Sequence, residues 1–448
     1  MAGPACLRQG STPAASLLLG GLAVALLVLL ALRSIHGGVK GSAALHSPRQ
    51  LAAAVEGLAP AAADGGAAAE IAAVEALLDG WPLGKPRACI VILARNSDLD
   101  GVLSSVLQLE RRFNSHTDTK YPYLYLNDRP FSPEFKRAVA AATAAPSFFG
   151  LVPREHWSYP PHINQTRAAQ LRSEARRHMP YGGSESYRFM CRYFSGFFFD
   201  HPLLAGFDFY WRVEPDVHFT CNLERDPFRV MQRRNASLAW TIVMSEVPST
   251  IPSLWPTTQQ WLAANPQHLA PRSLLPAFLE GQDDAAAGWG PFSLVHRWRT
   301  EQQPGVSSGG GGGGDAAGGQ PWRQRQYTGC HFWSNFEIGR LSFFRSAAYR
   351  SFFAHLDAAG GFFYERWGDA PVHTLAAAAL LDRSRVLWAS DIGYKHGSWA
   401  HCPLDPASRP RCDCSPFYDA QPGRQPSCQL DFLDRLAALE AAEAATSQ

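Results

Sequence analysis

Short apolar runs alternate with helical patterns in this chain, and this alternation limits its possible folds more than any other feature. Residues 89–93 form a continuous apolar, β-branched run typical of a buried strand, and apolar residues then recur at helical spacing over residues 102–113. The same order returns in YPYLYLND and SPEFKRAVAAA. Because such alternation builds sheets with helical crossovers, the sequence predicts an α/β fold with a mostly parallel, mixed sheet flanked by helices.

Two carboxylates follow the third strong strand pattern, GFDFYWRV, in the tripeptide Glu214-Pro215-Asp216, and a fourth strand is predicted over residues 238–244. In extended backbone, residues two apart project from the same face, and the proline between them restricts their movement. Two oxygen ligands held in this way suit Mn²⁺ or Mg²⁺, and open α/β sheets bind ligands at strand ends. The pattern predicts a divalent-metal site that also binds a diphosphate. A solvated turn with two surface acids is the alternative.

Glu337 lies among aromatic residues in CHFWSNFEIGRLSFF, residues 330–344. An acid in so much apolar surface is unfavourable unless it is paired or used, and aromatic walls are typical of sugar-binding sites. A functional role is therefore one interpretation of Glu337, and a helix on which it faces water is the other. In ESYRFMCRYFSG, Tyr187 and Arg188 interrupt an apolar pattern, as expected of phosphate and sugar recognition or of the rim of a core.

Two histidines could add an imidazole to the predicted metal site. Residues 367–369 have the composition of a turn, Pro371 suits the first position of a helix, and His373 would lie in the first turn of that helix. His396 follows a predicted strand over residues 386–388, in the loop DIGYKH. The residues alone leave each histidine open as a metal ligand or as a structural residue.

The charge pattern excludes some partner classes. The formal net charge is +2, and no block of lysine and arginine suited to a phosphate backbone occurs, so the sequence predicts no nucleic-acid partner. Residues 302–320 are rich in glycine but lack the lysine and hydroxyl of a phosphate-binding loop, which favours a flexible insertion. A small-molecule or glycan substrate fits this composition better.

The N-terminal region predicts a membrane anchor. Residues 14–32 contain no charge and are long enough to span a hydrocarbon core, so they are interpreted as a transmembrane signal anchor that follows a cytoplasmic tail over residues 1–13. A cleaved signal peptide is the alternative. Residues 33–84 are rich in alanine and glycine and are interpreted as a stem. The rest of the chain is expected to enter the secretory pathway, and the sequons at Asn164 and Asn235 agree with this.

Eight cysteines follow the predicted anchor, and in an oxidising lumen some of them are expected to pair. Four crowd an irregular, proline-rich tail, for which a disulfide staple is the natural interpretation; they are Cys402, Cys412, Cys414 and Cys428. A zinc site is the competing interpretation. It is disfavoured because a single residue separates Cys412 from Cys414, whereas structural zinc ligands favour wider spacing.

Five blocks together resemble one known family: ESYRFMCRYFSGFFF, YWRVEPDV, CHFWSNFEIG, GGFFYERWGDAPVH and DIGYKH. In this order they are similar to the fungal KTR-type α-1,2-mannosyltransferases, glycosyltransferase family 15, from about residue 87 to the C-terminal cysteines. The resemblance implies a type II Golgi membrane protein with a GT-A-like fold. It also implies transfer of mannose from GDP-mannose, with Mn²⁺, to the 2-hydroxyl of mannose on N- and O-linked protein glycans, with retention of the α configuration.

The resemblance implies roles for individual residues. Glu214 and Asp216 would bridge Mn²⁺ to the diphosphate, and His396 is favoured over His373 as the imidazole ligand. Glu337 matches the proposed nucleophile, and Tyr187 matches a tyrosine that binds the sugar substrates. The remaining residues expected to bind the nucleotide or substrate are Arg95, Arg188, Arg212 and Asp369.

The predicted organisation is a single lumenal catalytic domain over residues 85–435, with the insertion at 302–320 and a C-terminal tail at 436–448. The chain has YKH where relatives often have YHH, next to the predicted ligand His396. Two other functions are kept as alternatives. One is a glycoside hydrolase that uses paired carboxylates, and the other is a non-catalytic Golgi protein that binds glycans or assists assembly.

Overall fold

A computed structural model describes residues 66–116, 120–280, 322–414 and 427–446. The predicted tail at 1–13, the predicted anchor at 14–32, most of the predicted stem and the insertion at 302–320 lie outside these residues. Within the described ranges, no helix combines the length and the apolar character needed to cross a membrane.

A seven-stranded sheet forms the centre of the structure, in the order β12-β6-β11-β4-β1-β2-β3. Its strands are β1 (Ala88–Leu93), β2 (Tyr123–Asn127), β3 (Ser147–Leu151), β4 (Phe209–Val213), β6 (Leu238–Trp240), β11 (Phe336–Arg340) and β12 (Val386–Trp388). β11 runs antiparallel to both of its neighbours, and the other pairings are parallel. The predicted mostly parallel, mixed sheet is therefore confirmed.

Smaller sheets and helices surround the central sheet. Their strands are β5 (Val217–Phe219), β7 (Val243–Ser245), β8 (Leu279–Glu280), β9 (Gln326–Tyr327), β10 (Cys330–Phe332), β13 (Tyr394–His396) and β14 (Trp399–His401). The helices of the N-terminal half are α1 (Ala67–Asp79), α2 (Leu99–Arg112), α3 (Pro133–Ala142), α4 (Gln165–Ala175), α5 (Glu185–Gly196), α6 (Pro227–Arg233) and α7 (Leu254–Ala264). Those of the C-terminal half are α8 (Leu341–Phe344), α9 (Ala347–Ala359), α10 (Gly361–Tyr364), α11 (Asp369–Leu380) and α12 (Gln429–Thr446).

Apolar side chains explain the central strands and the first crossover. β2 and β4 are buried along their whole length, as is β1 except at its last residue. Burial on both faces suits strands whose sequence is continuously apolar. On α2, Val102, Val106 and Leu109 are fully buried, so one apolar stripe of the helix faces the core.

The predicted strand over residues 238–244 is two strands, so that prediction was wrong in its extent. β6 belongs to the central sheet, whereas β7 pairs with β10 in a separate two-stranded sheet. Between them, the Trp240 carbonyl accepts from Ala389 and the Ile242 carbonyl accepts from Trp333, so the backbone changes partners. Both halves are buried, and for this reason hydrophobicity alone does not mark the break.

The folded unit extends beyond both predicted boundaries. Val74 and Leu78 on α1 are buried, and the Glu70 carboxylate accepts a hydrogen bond of 3.1 Å from the Phe149 amide of the edge strand β3. Residues 67–79, assigned to the stem, therefore belong to the packed structure. At the other end, α12 carries the buried Phe432 and continues through residue 436, where a tail was predicted to begin.

Three disulfides tie the C-terminal region to the domain. Cys402–Cys414 closes a loop within the proline-rich segment that holds the last four cysteines. Cys221–Cys412 and Cys330–Cys428 instead join this segment to the chain near β5 and to β10. Pairing among the tail cysteines is thus confirmed in part, because two of them pair outside the tail. In the described part of the chain, the sulfur atoms of Cys412 and Cys414 are all committed to disulfides, which excludes the zinc interpretation there.

Candidate functional site

The site is built where β4 ends. Glu214, Pro215 and Asp216 connect β4 to β5, and Asp216 has a φ of 61°, in the left-handed region that non-glycine residues seldom adopt. The two acids therefore lie on a turn and not on extended backbone. The prediction that both carboxylates project from one face of extended backbone is therefore wrong. The turn between β4 and β5 sets the positions of the two carboxylates.

The first turns of α2 hold this connection in place. The Asp216 amide donates to the Gly101 carbonyl at 3.0 Å. The Ser105 hydroxyl donates to the Glu214 carbonyl at 2.8 Å and accepts from the Val217 amide at 3.0 Å. A Cβ atom at Gly101 would lie 2.7 Å from the Asp216 carboxylate, so glycine is required for the observed approach. The Asp216 side chain is left exposed to solvent.

His396 reaches the same place from a different part of the chain. β13 pairs antiparallel with β5, which sets His396 opposite Val217, and Trp333 stacks on the imidazole at 5.5 Å between ring centroids. Burial lowers the pKa of His396 below its usual value, although the Glu214 and Asp216 carboxylates act to raise it. The neutral form that binds metals is therefore favoured.

The hydrogen bond from Asn335 to His396 bears on metal binding. The amide of Asn335 contacts Nδ1 of His396, while its own Oδ1 is buried without a hydrogen-bond partner in the described structure. Turning the amide over would let Oδ1 accept a hydrogen bond from the Nδ1–H group of His396, because the nitrogen and oxygen of an amide exchange places in a flip. Nε2 would then present a lone pair, which is how a neighbour orients a histidine ligand.

The predicted metal ligands surround one place but do not converge on a point. The only group of three metal-binding side chains whose donor atoms lie within 4.8 Å of one another, among the described residues, is made of disulfide cysteines. One oxygen of Glu214 is instead held by the Arg212 guanidinium at 2.6 Å. The second oxygen of Glu214 is not bound by Arg212, so it could bind a cation once the three side chains move closer together.

Arg212 is the central charge of the site. It is buried on β4, and besides Glu214 it binds the Asp369 carboxylate, which also accepts from the Ser334 hydroxyl at 2.7 Å. Its guanidinium carbon lies 3.6 Å from the centroid of the Phe194 ring. Burial acts to lower the pKa of Arg212, but Asp369 and Glu214 outweigh it and raise that pKa. Arg212 and Asp369 were both predicted to contact substrate, and here they bind each other.

The pKa of Asp369 reflects the same pairing. Burial acts to raise this pKa, but Arg212 and then His373 outweigh it, and the pKa lies below its usual range. Asp369 is the first residue of α11, so Pro371 is the third. The prediction that Pro371 is the first residue of this helix was wrong. A carboxylate in the first turn of a helix also interacts favourably with the helix dipole.

Glu337 lies deeper, opposite Arg212 in the register of β11 and β4, and is 3% exposed. One of its oxygens accepts a short hydrogen bond from the Tyr210 hydroxyl, and the other lies 2.8 Å from Nδ1 of His373. Nε2 of His373 lies 3.0 Å from the Phe194 carbonyl, which can only accept, so Nε2 carries a proton. Burial acts to lower the pKa of His373, but Glu337 outweighs it and raises that pKa.

Comparison with known proteins decides the family. A family model described as glycolipid 2-alpha-mannosyltransferase matches residues 68–437. The chain belongs to this mannosyltransferase family. The resemblance found in five sequence blocks is therefore confirmed.

Individual members of the mannosyltransferase family are similar over most of the chain. The glycolipid 2-alpha-mannosyltransferase of Saccharomyces cerevisiae is 42% identical over 74% of this chain and 66% of its own length. Glycolipid 2-alpha-mannosyltransferase 1 of Candida albicans is 42% identical over 75% of this chain and 68% of its own length. This chain thus spans about two thirds of each relative.

Two solved structures share the fold. Core-mannan synthase A from Aspergillus fumigatus, in a Mn/GDP form, superposes with a TM-score of 0.63 at 37% identity, covering 79% of this chain and 83% of that one. The mannosyltransferase Ktr4p from S. cerevisiae, in complex with GDP, gives 0.64 at 29% identity, covering 90% and 94%. Both are similar in fold to the present chain over most of its length.

The other predicted residues of this mannosyltransferase-family chain lie in different settings. The Tyr187 hydroxyl accepts from Arg366 at 3.0 Å, beside the Arg212 group. Arg188 is buried and donates to the backbone carbonyls of Gly182, Ser184 and Glu365, so it supports the chain around Tyr187.

Arg95 is exposed and pairs with Asp98 at 3.1 Å, in the connection that leads into α2. Its described hydrogen bonds and ion pair are all made to Asp98, and none is made to another predicted site residue. Of the residues predicted to bind substrate, Arg95 is therefore the one that the structure does not connect to the rest of the site.

Sequence reasoning missed several residues of the site. Tyr210 stands two residues before Arg212 on the same strand, and the period-two alternation of strands could have placed both on one face. Asn335 stands two residues before Glu337 in the same sequence block, but nothing local points to its contact with His396. Gly101 and Ser105 were missed because their partners lie more than a hundred residues away in the sequence.

Proposed function

We propose that this chain is a retaining α-1,2-mannosyltransferase that moves mannose from GDP-mannose to the 2-hydroxyl of mannose on N- or O-linked protein glycans. The observation that carries the proposal is the meeting of Glu214, Asp216 and His396 at the end of β4. This group occurs in a family in which core-mannan synthase A is known in a Mn/GDP form. The donors at this strand end are oxygen and imidazole ligands, which suit Mn²⁺.

Mn²⁺ is the proposed cofactor, held by Glu214, Asp216 and His396. Bound there, it would neutralise charge on the diphosphate as the bond to the sugar breaks. The residues of the chain prepare the site: Asn335 can orient the imidazole of His396, and Gly101 leaves room for the Asp216 carboxylate. Arg212 holds the Glu214 carboxylate at 2.6 Å until a cation competes for it.

Retention of configuration allows two roles for Glu337, a covalent nucleophile or a fixed negative charge beside an oxocarbenium-like sugar. Both of its oxygens are engaged, by Tyr210 and by His373, and the side chain is 3% exposed. A covalent role would require one of these hydrogen bonds to break. The geometry therefore favours the fixed charge, since preorganised groups in a dry site stabilise developing charge strongly.

The two alternatives explain less. A glycoside hydrolase needs two carboxylates that flank one bond with the acid and base free to exchange protons. In this site Glu214 and Asp369 are both bound to Arg212. A non-catalytic glycan-binding protein would need neither the buried Glu337–His373 pair nor the exposed acid beside His396. The relatives named above are transferases, and this favours transfer.

We also propose a lumenal Golgi location with residues 14–32 as a type II membrane anchor. Three disulfides support an oxidising compartment. Both sequon residues, Asn164 and Asn235, are exposed. In microsomes, the domain should resist added protease until detergent is present, and endoglycosidase should increase its mobility. Digestion without detergent would contradict the orientation.

One experiment tests the proposed function directly. The purified protein is incubated with GDP-mannose and methyl α-mannoside, with Mn²⁺ or with a chelator, and the linkage of the product is determined. We expect an α-1,2-linked disaccharide in the presence of Mn²⁺ and none with the chelator. Failure to transfer under any metal condition would overturn the proposal. Asp98→Asn, which changes a nearby acid outside the ligand group, serves as the matched control for Asp216→Asn.

A further inference from the structure

Tyr181 is an exposed aromatic residue that packing of the core does not explain. Its side chain is 66% exposed, yet its ring lies parallel to that of Tyr187, with the centroids 4.6 Å apart and the planes 6° apart. One face of the Tyr181 ring is therefore covered by Tyr187. The opposite face is open to solvent, so the pair forms a flat aromatic step at the surface.

The backbone holds Tyr181 in an unfavourable conformation. Its φ is 55°, in the left-handed region, where a bulky residue needs support from its surroundings. The Tyr181 carbonyl accepts from the Ser184 amide at 2.9 Å, and a Cβ atom on Gly182 would lie 2.2 Å from the Ala175 carbonyl. Buried Arg188 donates to the Gly182 carbonyl at 2.8 Å. These contacts hold the turn at residues 181–184 in place, and the turn restricts the position of the Tyr181 ring.

The aromatic step adjoins the candidate active site. Tyr187 accepts from Arg366 at 3.0 Å, and Arg366 forms an ion pair of 2.9 Å with Glu246. Arg366 stands three residues before Asp369, which binds Arg212. A continuous path of contacts and chain therefore runs from the central charge of the site to the open face of Tyr181.

The location separates two ligands that could stack on tyrosine, a sugar and the guanine base. Nucleotides of open α/β sheets bind at the carboxyl ends of the parallel strands, here β4, β1 and β2, and Asp216 lies against α2 on that side. The aromatic step is connected instead, through Tyr187 and Arg366, to the chain that carries Asp369, the other carboxylate bound to Arg212. This connection does not pass through the predicted diphosphate ligands, so the sugar acceptor is the ligand that we assign to the step.

We propose that Tyr181 and Tyr187 form an acceptor subsite that binds the mannose residue preceding the one that is extended. The apolar face of the hexose packs on the open face of the Tyr181 ring. This inference rests on the proposed function, because it names the acceptor of the same reaction. It assigns to Tyr181 the discrimination between a monosaccharide and a longer acceptor.

The test uses two variants that keep the backbone intact. Tyr181→Asn removes the ring but tolerates a positive φ, and Tyr181→Phe keeps the ring as the matched control. With saturating GDP-mannose and Mn²⁺, KM and kcat are measured for methyl α-mannoside and for α-1,2-mannobiose. For Tyr181→Asn we expect KM for mannobiose to rise about tenfold, with kcat and the KM for methyl α-mannoside unchanged. Tyr181→Phe should match the original protein.

Other outcomes would overturn the subsite. Equal KM values for mannobiose in all three proteins would do so, and so would a tenfold loss of GDP affinity in Tyr181→Asn, which would assign the ring to the base. Calorimetric titration with mannobiose separates this inference from the proposed function. If no protein transfers mannose, weaker mannobiose binding by Tyr181→Asn than by the original protein still supports the subsite. Equal binding by the two proteins, or no detectable binding by the original protein, contradicts it.

Discussion

Two groups of acids and histidines lie near the strand β4, and their surroundings differ. The strand-end cluster comprises Glu214, Asp216 and His396, and the Asp216 side chain is exposed. The buried network comprises Glu337, His373 and Tyr210, of which Glu337 is 3% exposed. The residue types are nearly the same. The difference is that the first group includes Asp216, which forms no ion pair with the described residues, whereas both oxygens of Glu337 in the second group are engaged.

Arg212 separates the two groups and shows what the difference means. It binds Glu214 of the strand-end cluster and lies opposite Glu337 in the sheet register. Charges at the end of a strand can exchange partners with a ligand because water and ions reach them. Charges buried within the sheet must already be paired in the folded protein before any ligand binds, since an unpaired charge in a dry core is strongly unfavourable. The site thus combines an adjustable part with a rigid part.

The largest expected effect comes from Asp216→Asn, which removes charge from the adjustable part. We expect transfer activity to fall about 100- to 1000-fold, because Asp216 is exposed and forms no ion pair with the described residues, which leaves the cation as the partner that needs its charge. The midpoint of thermal unfolding without ligand should not change. The measurement is transfer rate together with the thermal shift produced by GDP and Mn²⁺. An unchanged Mn²⁺-dependent shift would show that Asp216 is not a ligand.

Glu337→Gln tests the rigid part. We expect activity to fall about 100-fold, while the thermal shift with GDP and Mn²⁺ is retained, because the change removes charge beside the sugar and not at the diphosphate. Binding is followed by calorimetry and activity by product formation. Loss of both properties together would mean that the two groups cannot be separated as described.

Gly101→Ala sharpens the comparison without changing any charge. The added Cβ would lie 2.7 Å from the Asp216 carboxylate and displace it, so we expect the apparent affinity for Mn²⁺ to weaken about tenfold. Gly80→Ala is the matched control, because a Cβ there meets its nearest atom at an ordinary 3.8 Å. The concentration of Mn²⁺ that gives half-maximal transfer is measured for both variants. Equal values for the two variants would show that Gly101 of α2 does not position the Asp216 carboxylate for Mn²⁺.

The smallest expected effect is a pH-dependent change in stability from His373→Gln. Because the folded protein raises the pKa of His373 above the usual histidine value of about 6.5, the protonated histidine stabilises the fold fully below that usual value. This contribution is lost as the pH rises through the raised pKa. We expect the variant to unfold about 2–4 °C lower than the original protein at pH 5.5, with the difference shrinking in more alkaline buffer. A difference that is the same at every pH would contradict the pairing with Glu337.

Local patterns predicted the parts of the fold that depend on neighbouring residues. The strands β1, β2 and β4 and the helix α2 follow from apolar periodicity, and the position of Glu214 and Asp216 follows from the end of an apolar run. The left-handed Asp216 was not predictable, because its conformation depends on Gly101 and Ser105 from another element.

Contacts between distant segments account for the other differences. His373 binds Glu337 across 36 residues of sequence, and no spacing rule connects them. α1 was assigned to the stem because its alanine-rich sequence shows a weak apolar stripe, although Val74 and Leu78 are enough to pack it on the domain. The break between β6 and β7 was hidden because both segments are buried.

The disulfides impose an order on the biosynthesis of this chain. Cys221, two residues after β5, pairs with Cys412 across a sequence separation of 191, and Cys330 at the start of β10 pairs with Cys428 across 98. Neither bond can form until the chain has been synthesised beyond its second cysteine, residue 412 or residue 428. The strand that follows Asp216 is therefore covalently secured late, and a chain cut short before residue 412 would retain an unpaired Cys221 thiol two residues after that strand.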